Sequence, residues 1–316
     1  MNTTEILDPA GWAKRTFGTS QLKDLRRTAR AVKAATRMAE NASASLPAQM
    51  HTWKETLALY RLLDEADVTF EALMHPHWQQ TREQIAKEPV VLLVQDTTEV
   101  DLSQHPHTRG LGQVGNQHGR GLYLQTVLAI LPQNGAVVGC AVQEPWIRVP
   151  APVGETRSQR RHRTERETDV WMRLVKQVGS FPARTTVVHV GDRGADLFPF
   201  FQACQATQTQ FLVRAFENRR IAPEERPQRH LLDEVRTWPA SASRPFHVPA
   251  SHGRTARSTV VQLAFGPVTL WPPRFETRCG KEPLVGWAIR VSRRADSCRR
   301  RAAGMDPLDL GPDDDP

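Results

Sequence analysis

The sequence predicts an α/β protein: a mixed sheet flanked by helices, with a small all-α basic region before it. Three observations predict this class. The run Val90-Val91-Leu92-Leu93-Val94 is wholly apolar and short, as a strand inside a sheet is. Two further runs, 122–131 and 136–142, flank Pro132-Gln133-Asn134-Gly135, and Asn-Gly is a strong hairpin signal. Helical spacing then alternates with apolar runs up to Arg214, the order of a sheet that carries helices.

At the amino end, eight cations between Lys14 and Arg37 are opposed only by Asp24. That surplus of seven is nearly the whole formal charge of +8. Leu22, Leu25, Ala29, Val32, Ala35 and Ala39 recur at spacings of three and four, which predicts a helix with these residues inward and Thr19 or Ser20 as its cap. A second helix is expected from Thr52 to about Asp64, packing through Trp53, Leu57, Tyr60 and Leu63. Short helices with one basic face suit DNA, because neutralised phosphates release counterions. An ordinary solvated helix face has the same pattern, so charge alone leaves both readings open.

In the central region, the first strand is expected to end at Gln95-Asp96-Thr97-Thr98. A hairpin pair follows, then a helix over 164–178 with Val170, Leu174 and Val178 inward. The strand Thr185–Val190 stops at Gly191-Asp192, a short helix runs through Leu197, Phe200 and Ala203, and a last strand covers 210–214. Functional groups in open α/β sheets gather beyond the carboxyl ends of parallel strands. Asp96 and Asp192 can therefore share a crevice and hold hard divalent cations, Mg²⁺ or Mn²⁺, through oxygen. Each aspartate can equally cap the turn after it. Asp101 and Asp196 are weaker candidates for a third carboxylate in a metal-dependent nuclease.

Several classes are excluded or disfavoured. No apolar run approaches the roughly 18 residues of a membrane span, and the first nine residues lack a signal-peptide pattern. No membrane partner is expected and a cytoplasmic location is. Four cysteines without a CxxC pair offer neither a zinc ribbon nor a disulfide framework. The triplets His75-Pro76-His77 and His105-Pro106-His107 read as solvated turns. Gly110 to Gly115 matches GxGxxG in letters, but no strand leads directly into it and no helix is expected after it.

Taken in order, a series of motifs resembles the DDE transposases of bacterial insertion sequences, in the transposon-five-like branch of the IS-four family. The series comprises Trp12-Ala13-Lys14 and Phe17, Asp24 to Arg30, Tyr60-Arg61, Val94 to Thr98, Leu111 to Asn116, Gly119 to Leu122, Glu167-Thr168 with Trp171, Asp192 to Asp196, and Phe211 to Arg214. The resemblance implies a helical transposon-end DNA-binding domain over 1–75, a ribonuclease-H-like core over 76–220 and a partial β-rich insertion over 221–291. It makes Asp96 and Asp192 catalytic, metal-binding aspartates using Mg²⁺ or Mn²⁺. It assigns DNA contact to Arg26, Arg27, Arg30 and Arg214, and Lys33 lies on the same basic helix. Gly194 and Gln125 depart from the pattern, where an acidic residue and a histidine are common.

A third glutamate is missing. The family carries it in a Tyr-x2-Arg-x3-Glu-x6-Lys helix, whereas the two tyrosines here, Tyr60 and Tyr123, both precede Asp192. From 292 onward the composition turns to Arg, Asp, Gly and Pro, so 292–316 is expected to be disordered or out of frame. The resemblance thus implies cut-and-paste transposition by lineage, with cleavage lost. The alternative is a truncated DNA-binding inhibitor of transposition. Double-stranded DNA is the expected partner, in a nucleoid-associated bacterial setting. Family members dimerise through a C-terminal domain not found here, so a monomer or a poorly soluble chain is expected.

Overall fold

The structure is a computed structural model that describes residues 8–116, 118–150, 152–156, 159, 166–222, 228–251, 253–274, 276 and 278–293. It forms two compact units, Met1–Phe216 and Glu217–Pro316.

The first unit begins with five helices: α1 (Pro9–Phe17), α2 (Leu25–Glu40), α3 (Leu46–Gln49), α4 (Trp53–Leu63) and α5 (Phe70–Ile85). Four start on a side-chain cap that satisfies an orphan backbone donor. Asp8 accepts from Gly11 N, Asp24 from Arg26 N, Thr52 from Glu55 N and Thr69 from Ala72 N. Small apolar clusters join them, one of Leu22, Ala31, Leu62 and Val68, another of Ala34, Met50 and Leu59.

Two sequence expectations are corrected here. Asp24 caps α2, not Thr19 or Ser20, and its buried residues are Thr28, Ala31 and Ala34. Leu25 stands 87% exposed. In α4 the buried positions are Thr56, Leu59 and Leu62, while Trp53 is 72% exposed. Both inward faces are turned from the expected ones, and in α2 the small side chains of Thr28, Ala31 and Ala34 let the helix approach its neighbours closely. The first His-Pro-His triplet is also no turn. Pro76 lies inside α5, and His77 Nε2 accepts the Cys140 N–H at 3.1 Å. His105–His107 is an exposed turn, as expected.

Next come β1 (Val90–Asp101), β2 (Gly112–Val114), β3 (Gly119–Ile130), β4 (Val137–Trp146), α6 (Asp169–Val178), β5 (Thr186–Gly191), α7 (Phe198–Ala206) and β6 (Gln210–Val213). Helix α6 covers the later part of the helix expected over 164–178, of which 164 and 165 lie outside the described residues. The strands form a mixed sheet in the order β2-β3-β1-β5-β6, with β4 also on β3. β1 pairs antiparallel with β3 and parallel with β5, and β5 pairs parallel with β6.

The sheet buries one face against helices. Val91, Leu93, Gln95, Val127, Ala129, Val187 and His189 are all buried on that face. Thr81 of α5 sits where a Cβ on Gly139 would go, Gln95 Nε2 donates to the Trp171 carbonyl of α6, and Phe200 of α7 meets His189 edge-on. The alternate residues Val90, Leu92 and Val94 are only partly covered. The apolar run therefore belongs to a strand buried fully on one face, not on both as its composition predicted.

The second unit holds α8 (Leu231–Thr237) and a three-stranded antiparallel sheet of β7 (Ala242–Val248), β8 (Arg257–Leu270) and β9 (Leu284–Arg293), in the order β7-β8-β9. Strand β9 continues through 292 and 293, past the expected change of composition, and 294–316 lies outside the described residues. The expected boundary at 75/76 falls within α5, and both sides of it belong to the first unit.

Candidate nucleic-acid interface and carboxylate pair

Helix α2 carries Arg26, Arg30, Lys33 and Arg37 at spacings of four, three and four, which places them on one stripe. Arg30, Lys33 and Arg37 line a cleft of about 430 Å³ between α2 and α4, joined by Lys54 and floored by Ala34, Met50 and Leu59. Glu55 enters the same cleft. It pairs with Lys33 at 2.6 Å and approaches Arg37 at 3.8 Å. The Lys33 hydrogen bond, ahead of the charges of Lys33 and Arg37, holds the Glu55 carboxyl below the usual carboxylate range.

The remaining cations differ in freedom. Arg30 is exposed and has no ion-pair partner among the described residues. Arg26 is held by the Asp24 carboxylate at 2.8 Å, which depresses the Asp24 pKa. Arg27 points off the stripe, where Glu65 and Asp67 bind its guanidinium and it also reaches the Leu22 carbonyl. Its geometry ties α2 to the chain between α4 and α5.

Strand register carries both aspartates to the same edge of the sheet. Val94 of β1 is level with Val190 of β5, and Val190 with Leu212 of β6. Two residues beyond these levels stand Asp96 on β1, Asp192 just past the end of β5 and Arg214 just past the end of β6, and the Arg214 N–H bonds the Gly191 carbonyl at 3.2 Å. Asp96 is itself level with Thr126 of β3, and Thr126 with Gln143 of β4, whose Nε2 donates to Thr126 Oγ1 at 3.0 Å. Paired residues point to the same side of a sheet. Asp96 is not at the end of β1, as its motif suggested. It lies midway, where parallel pairing with β5 has stopped and antiparallel pairing with β3 goes on to Asp101.

Each carboxylate spends one oxygen locally. Asp96 Oδ1 accepts the Thr97 N–H at 2.8 Å, and Asp192 Oδ1 accepts the Gly194 N–H at 2.7 Å. Both side chains are exposed, and neither Oδ2 has a partner among the described residues. Two hard oxygen ligands with solvent access suit one Mg²⁺, which keeps several waters when bound.

Residues 9–68 match the transposase DNA-binding family. The match covers all of α2 and α4, and so the basic stripe and its cleft. The chain is also similar to a solved structure, a cryo-EM structure of piggyBac transposase synaptic complex with hairpin DNA. Identity is 11% and the TM-score 0.38, over 92% of this chain and 62% of that one. This chain thus spans less than two thirds of that transposase chain.

The weaker carboxylate candidates have other work. Asp101 has the opposite strand parity to Asp96, and its Oδ1 accepts from Ser103 N at 2.8 Å and Ser103 Oγ at 2.5 Å, which lowers its pKa. Asp196 is buried and accepts the Phe216 N–H at 2.7 Å. Among the described residues no three His, Cys, Asp or Glu side chains converge as a metal-binding group. Gly194 has a local reason: a Cβ there would lie 3.0 Å from both Asp192 Oδ1 and the Trp171 ring. Gln125 is fully buried and accepts from Thr97 Oγ1, on the face opposite Asp96. Thr126 and Gln143 were not legible in the sequence, because only the hairpin register puts them level with Asp96.

Proposed function

We propose that this chain is a protein of bacterial insertion-sequence transposase lineage that binds double-stranded transposon-end DNA and holds one Mg²⁺ or Mn²⁺ without completing strand cleavage. The observation that carries the proposal is the parallel register of β1, β5 and β6, which brings Asp96, Asp192 and Arg214 to one edge of the sheet, in a chain whose residues 9–68 match a transposase DNA-binding family. Arg26, Arg30 and Lys33, with Arg37 and Lys54, supply cations for the phosphate backbone. Arg27 acts through α2, by fixing its orientation. Asp96 and Asp192 offer their free oxygens to the cation, and Arg214 brings a positive charge to the same edge. A bound divalent ion would supply Lewis-acid stabilisation of a phosphodiester oxygen. In-line displacement at full rate needs a second ion, and the ligand set for it is incomplete. Misplacement of reacting groups alone costs about a hundredfold in rate.

The lack of a third converging acid among the described residues favours the reading of an inhibitor, which occupies transposon ends and leaves them uncut. The test is a strand-cleavage assay on duplex DNA with Mg²⁺, together with Mn²⁺ binding. We expect DNA binding without nicks, and Mn²⁺ binding that is lost in Asp96→Asn/Asp192→Asn. Robust nicking by the 316-residue chain rejects the inhibitor reading. Mn²⁺ binding unchanged in the double variant removes the metal site.

A further inference from the structure

The sheet of the second unit has two unlike faces. One packs under α8: Ala264, Val268, Leu270 and Leu284 are buried, and the Trp238 ring lies 3.4 Å from where a Gly266 Cβ would be. The other face is apolar and bare. Antiparallel register puts Phe265 level with Ile289, Pro267 with Trp287 and Leu263 with Val291. On it Val285 is 83% exposed, Trp287 68%, Val291 62%, Ile289 59% and Phe265 51%. Four of these residues come from alternate positions of β9, so the patch is continuous.

We propose that this face is the contact surface for a second copy of the chain. Aromatic side chains offer about 150–250 Å² each when fully exposed and the aliphatic ones less, so the patch amounts to on the order of 500 Å². That lies within what a soluble monomer leaves bare, about 300–600 Å². Two such patches together remove about 1,000 Å² from water, roughly what a specific interface needs.

The charge pattern selects a twofold partner. Arg244 and Arg293 are both level with Val261, and Arg257 lies further along the same face, so three exposed arginines share one end of it. The apolar end carries no charged side chain on this face. Two copies packed face to face with opposed strand directions set apolar end against apolar end and send the arginine clusters to opposite extremities. The contact is then self-complementary and closed. This inference does not depend on the DNA-binding proposal, which concerns α2 and α4.

Sedimentation of the full 316-residue chain without DNA tests it. The expected species has twice the 35.6 kDa chain mass at micromolar concentration. Trp287→Gln/Ile289→Lys should weaken association at least about thirtyfold, as loss of central anchors does, with far-ultraviolet dichroism and DNA affinity unchanged. Leu212→Gln, at an exposed apolar residue of the first unit, should leave the dimer intact. If the double variant unfolds, Ile289→Thr is measured instead, and it too should weaken the dimer. A monomer throughout, an open-ended polymer, a dimer seen only with DNA, or a dimer indifferent to both β9 substitutions overturns the proposal.

Discussion

His189 sits on β5 at 0% exposure with neither ring nitrogen hydrogen-bonded, among Phe200 and the other apolar groups of the covered face. Burial pushes its pKa down to about 4. The folded chain therefore holds it neutral, while the unfolded chain protonates it near 6.5. Between these values the unfolded state binds more protons, so stability falls as pH drops from 6.5 towards 4. At about 1.36 kcal/mol per unit the full loss is about 3 kcal/mol. His189→Leu removes the titrating group and an unpaired polar ring. The difference in unfolding free energy between wild type and variant should change by that amount between about pH 7 and pH 4, and no pH dependence in the difference would exclude His189 as the cause. A second residue-scale prediction concerns Glu55, which occupies Lys33 and faces Arg37 in the basic cleft. Glu55→Gln should raise DNA affinity several-fold at low salt, and Arg30→Ala should lower it. A drop in affinity for Glu55→Gln would mean that the carboxylate orients these cations for DNA. The sequence made the cations legible, but it could not show which were occupied. Arg26 and Arg27 look alike in the motif, yet one lies along the stripe and the other is bound to acids 38 and 40 residues away.

At the scale of elements, close approach decides more than hydrophobicity. Gly139 lets α5 settle on β4, since a Cβ there would lie 2.3 Å from Thr81 Oγ1. Its φ is not positive, so alanine suits the backbone and would by itself add about 0.4–1 kcal/mol. Overpacking a full core costs about 1–3 kcal/mol, which outweighs that gain. Gly139→Ala is expected to destabilise the chain in urea, and Thr81→Ala/Gly139→Ala to recover much of the loss. Simple additivity of the two substitutions would deny the contact. Close approach also accounts for the helix faces that the sequence did not reveal. Apolar periodicity identified α2 and α4 but turned their faces wrongly, because Thr28, Ala31, Ala34 and Thr56 are buried for their size. Pro76 read as a turn because an interior proline costs a helix about 3 kcal/mol. Tertiary packing outweighs that cost, with Trp78, Thr81 and Ile85 all buried. The succession of strands and helices along the chain and the Asn134-Gly135 hairpin were legible, since alternation and turn chemistry are local; the order of strands in the sheet, with the short β2 at its edge, was not. The length of β1 was not, because its continuation past Asp96 depends on β3.

Across the whole molecule, the basic cleft and the carboxylate pair are built from separate elements. The cations of α2 and α4 belong to a helical region whose caps and small clusters are its own. Asp96 belongs to the sheet, Asp192 and Arg214 follow the ends of β5 and β6, and the three share one edge because β1, β5 and β6 run parallel in register. Phosphate binding by the helices needs no divalent ion, and a cation held by the aspartates needs no DNA. Affinity for duplex DNA should therefore be the same in EDTA and in Mg²⁺, and also in Asp96→Asn/Asp192→Asn. It should fall steeply with monovalent salt. If about four of the cleft and stripe cations meet phosphates, the slope of log K against log salt is about −3.6, and Arg30→Ala should reduce it by about one. Fluorescence anisotropy with a labelled duplex across a salt series measures both quantities. Binding that requires Mg²⁺, or a slope near zero, would move the DNA contact from the helical region to the carboxylate pair. In that outcome the aspartates, bridged to phosphate through their cation, would become the principal DNA-binding element.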